Sequence, residues 1–169
     1  IRKNANLMSA IRNPAPPQPA SAVVAYVGEP VAIKEPTAVR FRRQSGANVL
    51  MVGQQEESAV AVFASMAASI AAQQPAADAI FHLMDGSPSD SPYFGLLERV
   101  LGAIPQQANI VTWRGVPDAI NALAGILAER QGNDAHPGPS VYLLLFGLQR
   151  YRLLRKQEDD FSFSRGSEP

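Results

Sequence analysis

Residues 48–84 read NVLMVGQQEESAVAVFASMAASIAAQQPAADAIFHLM and predict a strand, a loop, a helix and a second strand. The apolar run Val49–Val52 ends at Gly53, which predicts a short buried strand and a tight loop. Apolar side chains then recur at helical spacing through residues 57–74, as the stripe Ala59, Phe63, Met66 and Ile70. A second apolar run, Ala79–Met84, follows, so the stretch has the order of a βαβ unit.

A second helix is predicted after this second strand. The Asp85-Gly86 pair indicates a turn, and the Ser91-Pro92 pair supplies an N-cap and a first-turn proline. Pro105 ends the helix. Its predicted buried positions are Phe94, Leu97, Leu101 and Ile104.

Two more strands are predicted, at Asn109–Trp113 and Val141–Phe146. The helix between them begins at Pro117 and is closed by Gly132 and Pro137; its apolar stripe is Ile120, Leu123 and Leu127. Strands that alternate with helices predict the α/β class, with a mainly parallel sheet, right-handed crossovers and helices on both faces. Ligands of such sheets bind beyond the carboxyl ends of the strands.

The chain before this alternation has a different character. Residues 1–21 are predicted to be a proline-rich linker, because four prolines among residues 14–19 leave no room for a regular hydrogen-bonded element there. Two short strands, Val23–Val27 and Thr37–Arg42, are predicted to precede the sheet. We therefore expect one domain over residues 22–157, followed by a polar tail at 158–169.

Composition limits the possible chemistry. The chain has 169 residues, 46% of them apolar, no cysteine and two histidines, His82 and His136. This excludes a disulfide scaffold, a cysteine nucleophile and a zinc cluster, so we expect no metal. The apolar runs are far shorter than the ~20 residues of a membrane-spanning helix. We expect a cytoplasmic segment without direct membrane contact, which leaves open a tether through a missing N-terminal region.

Charge is distributed unevenly, although 15 basic and 15 acidic side chains balance overall. Residues 1–43 carry seven basic and two acidic side chains, whereas residues 44–149 carry three and nine. Nucleic-acid affinity that is independent of sequence comes from clustered Lys and Arg. The acidic middle block therefore argues against a broad phosphate-binding face there.

A strand, a glycine and a helix form the frame of a phosphate-binding loop, whose pattern is G-x-x-x-x-G-K-[ST]. In that register only Gly53 matches; Ser58, Ala59 and Val60 replace the second glycine, the lysine and the hydroxyl. The six candidate positions of this degenerate nucleotide loop are Gly53, Gln54, Gln55, Glu56, Glu57 and Ser58. Their two carboxylates occupy the positive end of the helix dipole that a phosphate needs. An ordinary strand-to-helix turn explains the same residues.

The second half of such a site is an apolar strand that ends in two carboxylates, which hold magnesium and orient water. Here Phe146 and Gly147 stand in those places. Neither residue binds a cation or accepts a proton, so the sequence predicts no catalytic residue and no hydrolysis by this domain alone.

Residues 40–53, RFRRQSGANVLMVG, and residues 144–150, LLFGLQR, resemble the FtsK/SpoIIIE branch of the RecA-like DNA-translocating ATPases, over roughly residues 22–160. The resemblance implies a three-layer RecA-like P-loop NTPase fold, degenerate in both nucleotide motifs, in a fragment of a longer chain. ATP binding is expected to be weak or absent. The implied partners are other ATPase domains of the same or neighbouring chains in a ring, with DNA bound through the parent protein.

Three functions remain open at this point. The leading hypothesis is a non-hydrolysing scaffold or regulatory domain of a multi-domain translocase. The second is an ATP- and DNA-binding domain of an active translocase with a composite site, in which Arg42 or Arg43 reaches across to a neighbouring subunit. The third is a protein-interaction module that is independent of nucleotides.

Weaker signals lie outside the two motifs. The turn and N-cap explain the polar loop 85–92, and His82 fits a hydrogen-bonded sheet position better than a proton shuttle. The pair Trp113-Arg114 can stack or contact phosphate, although a half-buried tryptophan beside a surface arginine is the commoner outcome. A basic helix face is suggested by Arg150, Arg152, Arg155 and Lys156.

Overall fold

The structure of the chain, a computed structural model, describes residues 5–12, 22–28, 35–44, 46–131 and 138–154. The helices and strands follow in chain order as α1 (Ala5–Arg12), β1 (Val23–Gly28), β2 (Thr37–Phe41), α2 (Glu56–Ala72), β3 (Ala79–Asp85), α3 (Leu96–Gly102), β4 (Gln107–Ile110), α4 (Val116–Gln131) and β5 (Ser140–Phe146). Single 3-10 turns cover Ala76–Asp78, Trp113–Gly115, Leu148–Arg150 and Arg152–Leu154.

Three of the strands form a parallel sheet in the order β4-β3-β5. Ile80 of the central strand lies opposite Gln107 on one side and opposite Val141 on the other. Each parallel connection contains a helix, α3 or α4, as parallel pairing requires. The α/β class with a parallel sheet flanked by helices is thus confirmed.

The alternation of side chains in β3 separates the two faces of this sheet. Phe81 and Leu83 are fully buried in a cluster to which α2 and α3 contribute. Met84, of opposite parity, is buried in a second cluster with Val116 and Tyr151, against which α4 packs. Helices therefore cover both faces, and burying a side chain as large as Phe81 stabilises the fold by roughly 1.5–3 kcal/mol.

The strands β1 and β2 form a separate antiparallel hairpin, which α2 joins through a stripe of polar side chains. Ser65 Oγ donates to the carbonyl of Tyr26 at 2.8 Å, and the Tyr26 N–H donates to Ser69 Oγ at 3.2 Å. Gln73 bonds both backbone groups of Val24, with Nε2 donating at 2.6 Å and Oε1 accepting at 3.0 Å. The stripe thus satisfies the edge of β1 that faces away from β2.

The strand predicted at Val49–Val52 is wrong. These residues have no regular structure and no ladder partner among the described strands. Their side chains are exposed, Leu50 by 77% and Val52 by 88%. An apolar β-branched run fits a strand only where a neighbouring strand accepts its hydrogen bonds, and none is present here.

Two further boundaries, the start of α3 and the end of β4, differ from the predictions. The helix α3 begins at Leu96 after a turn, because Gly95 at its N-cap has a φ of 70°, which interrupts the helical backbone. Leu97 and Leu101 are buried as predicted, whereas Phe94 precedes the helix and is exposed. Trp113 lies in a 3-10 turn beyond the end of β4.

The predicted linker contains a helix, α1, which ends at Arg12 before the first of the prolines. The prolines of residues 14–19, the closing pair Gly132 and Pro137, and the tail at 158–169 lie outside the described residues.

Candidate functional site

The loop predicted to cradle a phosphate is an open turn. A Cβ added at Gly53 meets nothing within 4 Å, so no neighbouring group closes around the loop at that residue. Gln55 caps α2 without a side-chain hydrogen bond to its backbone, and Ser58 Oγ donates to Gln55 Oε1 at 3.2 Å. Glu56 and Glu57 form the first turn of the helix. The acidic pair thus occupies the positive end of the helix dipole, as at an ordinary helix start.

The first turn of α2 contacts the loop that follows β3. Ser91 Oγ donates to Glu56 Oε1 at 2.7 Å and accepts from the N–H of Tyr93 at 3.1 Å. The pKa of Tyr93 is raised by partial desolvation and then by the carboxylates of Glu57 and Glu56. The Ser91 side chain therefore caps a turn that leads to α3 and also holds a carboxylate, a contact that the sequence does not reveal.

The second half of the predicted nucleotide site, at the end of β5, packs against the helix that follows the loop. Phe146, which ends β5, lies 5.5 Å from the ring of Phe63 in α2, with the two rings nearly perpendicular. Gly147 follows with a φ of 70°. The end of β5 therefore supplies an apolar ring and a backbone turn at these two residues, and neither is a metal ligand.

The ends of β3 and β5 are joined by direct backbone contact. The Gly86 N–H donates to the Phe146 carbonyl at 2.9 Å. A Cβ at Gly86 would lie 2.7 Å from that oxygen, and one at Gly147 would lie 3.2 Å from the Gly86 carbonyl oxygen. Backbone therefore fills the gap between these two strand ends, and the Asp85-Gly86 turn signal gives no hint of this role.

Asp85 is held by its own turn, where Oδ1 accepts from the N–H of Ser87 at 2.9 Å. Ser87 Oγ is buried and has no hydrogen-bond partner among the described residues. Burial, and then the Asp85 carboxylate, raise the pKa of Tyr151 to about 12. The polar side chain of Asp85 thus stabilises a turn. Tyr151 stays protonated at neutral pH.

Trp113 and Tyr151 stack at the same edge of the sheet. Their ring centroids are 4.3 Å apart and their planes differ by 26°. Tyr151 is buried, whereas Trp113 is 50% exposed. Arg114 follows the tryptophan, and Arg150 flanks the tyrosine, both exposed. The sequence suggests roles for the Trp113-Arg114 pair and for Arg150 separately. The structure brings the rings of Trp113 and Tyr151 together.

The remaining candidates have structural positions. Asn109 Nδ2 lies 3.4 Å from Nε2 of His82, whose pKa is lowered by burial. The Arg43 guanidinium donates to the Gly138 carbonyl at 3.0 Å and to Ser140 Oγ at 3.2 Å. It therefore contacts the amino end of β5, the end opposite the candidate site, so this geometry does not favour a role across a subunit boundary.

The described part of the chain holds neither a metal-binding cluster nor a helix suited to span a membrane. No group of three or more His, Asp or Glu side chains is placed there to hold a metal ion. No helix there is both long and apolar enough to cross a membrane. His136, Arg155 and Lys156 are among the residues that the structure does not describe.

Comparison of the chain with models of protein families, with curated proteins and with solved structures finds no match. The FtsK/SpoIIIE resemblance, and the ATP, DNA and ring partners that it implies, therefore stay predictions.

Proposed function

We propose that the chain is a non-hydrolysing domain of the nucleotide-binding type within a multi-domain FtsK/SpoIIIE-like DNA translocase, where it acts as a scaffold or regulatory element. One observation carries the proposal. The end of β5, where a hydrolytic site carries its magnesium ligand, instead packs the ring of Phe146 against Phe63 in the middle of α2.

The charges at this edge oppose a nucleotide. Glu56 is fixed by Ser91 at the start of α2, with Glu57 beside it. Two like unit charges 4 Å apart near a protein surface repel by about 4 kcal/mol, so these carboxylates repel a triphosphate. The loop also lacks the lysine that would balance the phosphate charge.

Calorimetric titration with ATP and magnesium, together with a phosphate-release assay, tests the proposal on the wild-type chain. We expect no measurable heat of binding and no phosphate release. Micromolar binding accompanied by magnesium-dependent release would overturn it.

A pair of variants sharpens this test. Ala59→Lys alone should not bind ATP, because the new lysine pairs with Glu56 or Glu57, and such an exposed pair changes stability by only ~0–1 kcal/mol. The combined variant Ser58→Gly, Ala59→Lys, Val60→Thr, Glu56→Gln and Glu57→Gln should bind ATP without hydrolysing it. Phe146 and Gly147 still supply no magnesium ligand. ATP turnover by the single Ala59→Lys variant would show that the loop register is wrong.

The exposed run Val49–Val52 favours a second candidate function, a protein-interaction module that is independent of nucleotides. Four consecutive exposed apolar side chains in a segment without regular structure are unusual on a protein surface. Sedimentation at several protein concentrations tests it by comparing Leu50→Asp with Leu127→Asp, a matched change at an exposed leucine of α4. Association that only Leu50→Asp weakens supports the module, and association that neither variant changes argues against it.

A further inference from the structure

The carboxyl edge of the sheet presents an aromatic and basic surface, which we call the Trp113 patch and define as Trp113, Arg114, Arg150 and Arg152. One face of the indole is covered by the ring of Tyr151, 4.3 Å away and nearly parallel. Although Tyr151 covers this face, the tryptophan remains 50% exposed. The patch therefore offers one flat aromatic surface to solvent.

This surface is held rigidly from behind. Tyr151 is buried in a cluster with Met84 of β3 and Val116 of α4, and Leu145 of β5 packs against that cluster. The turn under the indole is closed by a hydrogen bond from the Gly115 N–H to the Thr112 carbonyl at 2.9 Å. A stacking ligand thus meets a preorganised ring, and little side-chain freedom is lost on binding.

The arginines of the patch are available to a ligand. All three are exposed, and none of their guanidinium groups forms an ion pair or hydrogen bond with another described residue. Two carboxylates lie near them in the structure or the chain, Asp85 beneath Tyr151 and Asp118 in the first turn of α4. Neither pairs with an arginine, so the three guanidinium groups, which adjoin Trp113 or Tyr151 in the chain, are not neutralised by an ion pair with a described residue.

We propose that the Trp113 patch binds single-stranded nucleic acid, with a base stacked on the open face of the indole and the arginines on the flanking phosphates. Stacking on an aromatic ring is tolerant of sequence, and its loss typically weakens binding roughly ten- to a hundredfold per base. Bases in a duplex are stacked on each other and offer no free face. A single strand supplies a flat base and an anionic phosphate at every nucleotide, whereas a protein segment offers an aromatic ring and a carboxylate only at particular positions.

The patch is distinct from the nucleotide loop and does not depend on it. The acidic middle block disfavours a broad phosphate-binding face, whereas this patch is local and takes Arg150 and Arg152 from residues 150–169, which carry five basic and four acidic side chains. The proposal therefore stands whether or not the chain binds ATP.

Intrinsic fluorescence gives a direct test, because Trp113 is the single tryptophan of the chain. Titration of the wild-type protein with an oligothymidylate of about ten nucleotides should quench the tryptophan emission. Between about 50 mM and about 200 mM salt, the logarithm of the binding constant should fall with a slope of about −2, because each phosphate contact of a single strand contributes about −0.7.

Four variants resolve the contributions of ring and charge. Trp113→Leu, followed by anisotropy of a labelled oligonucleotide, should weaken binding roughly ten- to a hundredfold, and Trp113→Phe should restore most of it. Arg150→Gln should lower the magnitude of the salt slope by about 0.7. Arg99→Gln, at an exposed arginine of α3, is the matched control and should change neither quantity. Unchanged circular dichroism spectra confirm that the variants fold.

Three results would overturn the proposal. One is the absence of quenching by the oligonucleotide at the lower salt concentration. Another is duplex DNA of the same length binding as tightly as the single strand, which indicates phosphate contacts without stacking. The third is ATP quenching the tryptophan with equal affinity, which assigns the patch to a mononucleotide instead of a strand.

Discussion

The helices α2 and α4 have 17 and 16 residues, yet they bury very different amounts of surface. Seven residues of α2 are buried, between the hairpin and the sheet, whereas Val116 alone is buried in α4. Leu127, in the second half of α4, is 58% exposed although it belongs to the predicted apolar stripe. An apolar stripe in the sequence therefore predicts which face of a helix packs against the core. How many residues of that face are buried depends on how far the neighbouring surface extends along the helix.

The largest predicted effect lies on the α2 side of the sheet. Phe81→Ala removes a fully buried ring that stacks on Tyr142 at 5.3 Å, and should destabilise the fold by about 3–5 kcal/mol. Leu127→Ala on α4 should cost less than about 0.5 kcal/mol. Urea denaturation measures both free energies of unfolding, and equal losses would contradict the contrast between the two helices.

The backbone contact between the ends of β3 and β5 provides the next test. Gly86→Ala places a Cβ 2.7 Å from the Phe146 carbonyl oxygen, so the strand ends must separate, at a cost of about 1–3 kcal/mol. Gly125→Ala in α4 has nothing within 4 Å and should stabilise the chain by about 0.5–1 kcal/mol, through helix propensity. Thermal melts of the two variants should shift in opposite directions, and a neutral Gly86→Ala would show that the backbone contact is loose.

The polar stripe of α2 is the third target. Ser69→Ala leaves the Tyr26 N–H without its acceptor and should lower the free energy of unfolding by about 1–2 kcal/mol. Asn121→Ala on the exposed side of α4 is the control, expected within about 0.5 kcal/mol of wild type. If both variants unfold at the same urea concentration, the hydrogen bonds of the stripe add nothing to stability.

The smallest effect concerns pH. Burial lowers the pKa of His82 below its ordinary value of 6.5, so the folded state binds this proton more weakly than the unfolded state. Stability should be unaffected by His82 above pH 6.5 and should decline as the pH falls below that value. His82→Gln should flatten this decline in unfolding free energies measured at several acidic pH values. A slope that persists unchanged in the variant would assign the decline to other groups.

The sequence predicts some elements closely. The strands at Ala79–Met84 and Val141–Phe146 agree with β3 and β5 to within one residue at each end, because continuous apolar runs are typical of strands buried on both faces. The long helix predicted over residues 57–74 begins one residue earlier, at Glu56, and ends at Ala72. These segments carry their own periodicity, which is a local property.

Other elements depend on contacts that the sequence does not contain. Val49–Val52 has the composition of a strand, but a strand also needs a neighbouring strand to pair with. None of the described strands pairs with this segment. Ser91-Pro92 suits a turn as well as a helix N-cap, and the backbone of Gly95 selects the turn. In the candidate site, Trp113 and Tyr151 are distant in the chain, so their stacking follows from the parallel order of the strands.

The hydrogen bonds between the hairpin and Ser65, Ser69 and Gln73 of α2 affect both association and unfolding. Because helix side chains occupy the outer edge of β1, that edge cannot accept a strand from another molecule, and association through it is blocked. The hairpin is also tied to α2 as if the helix were its third strand. We therefore expect β1 and α2 to unfold together as one cooperative unit, with amide hydrogens that exchange at similar rates.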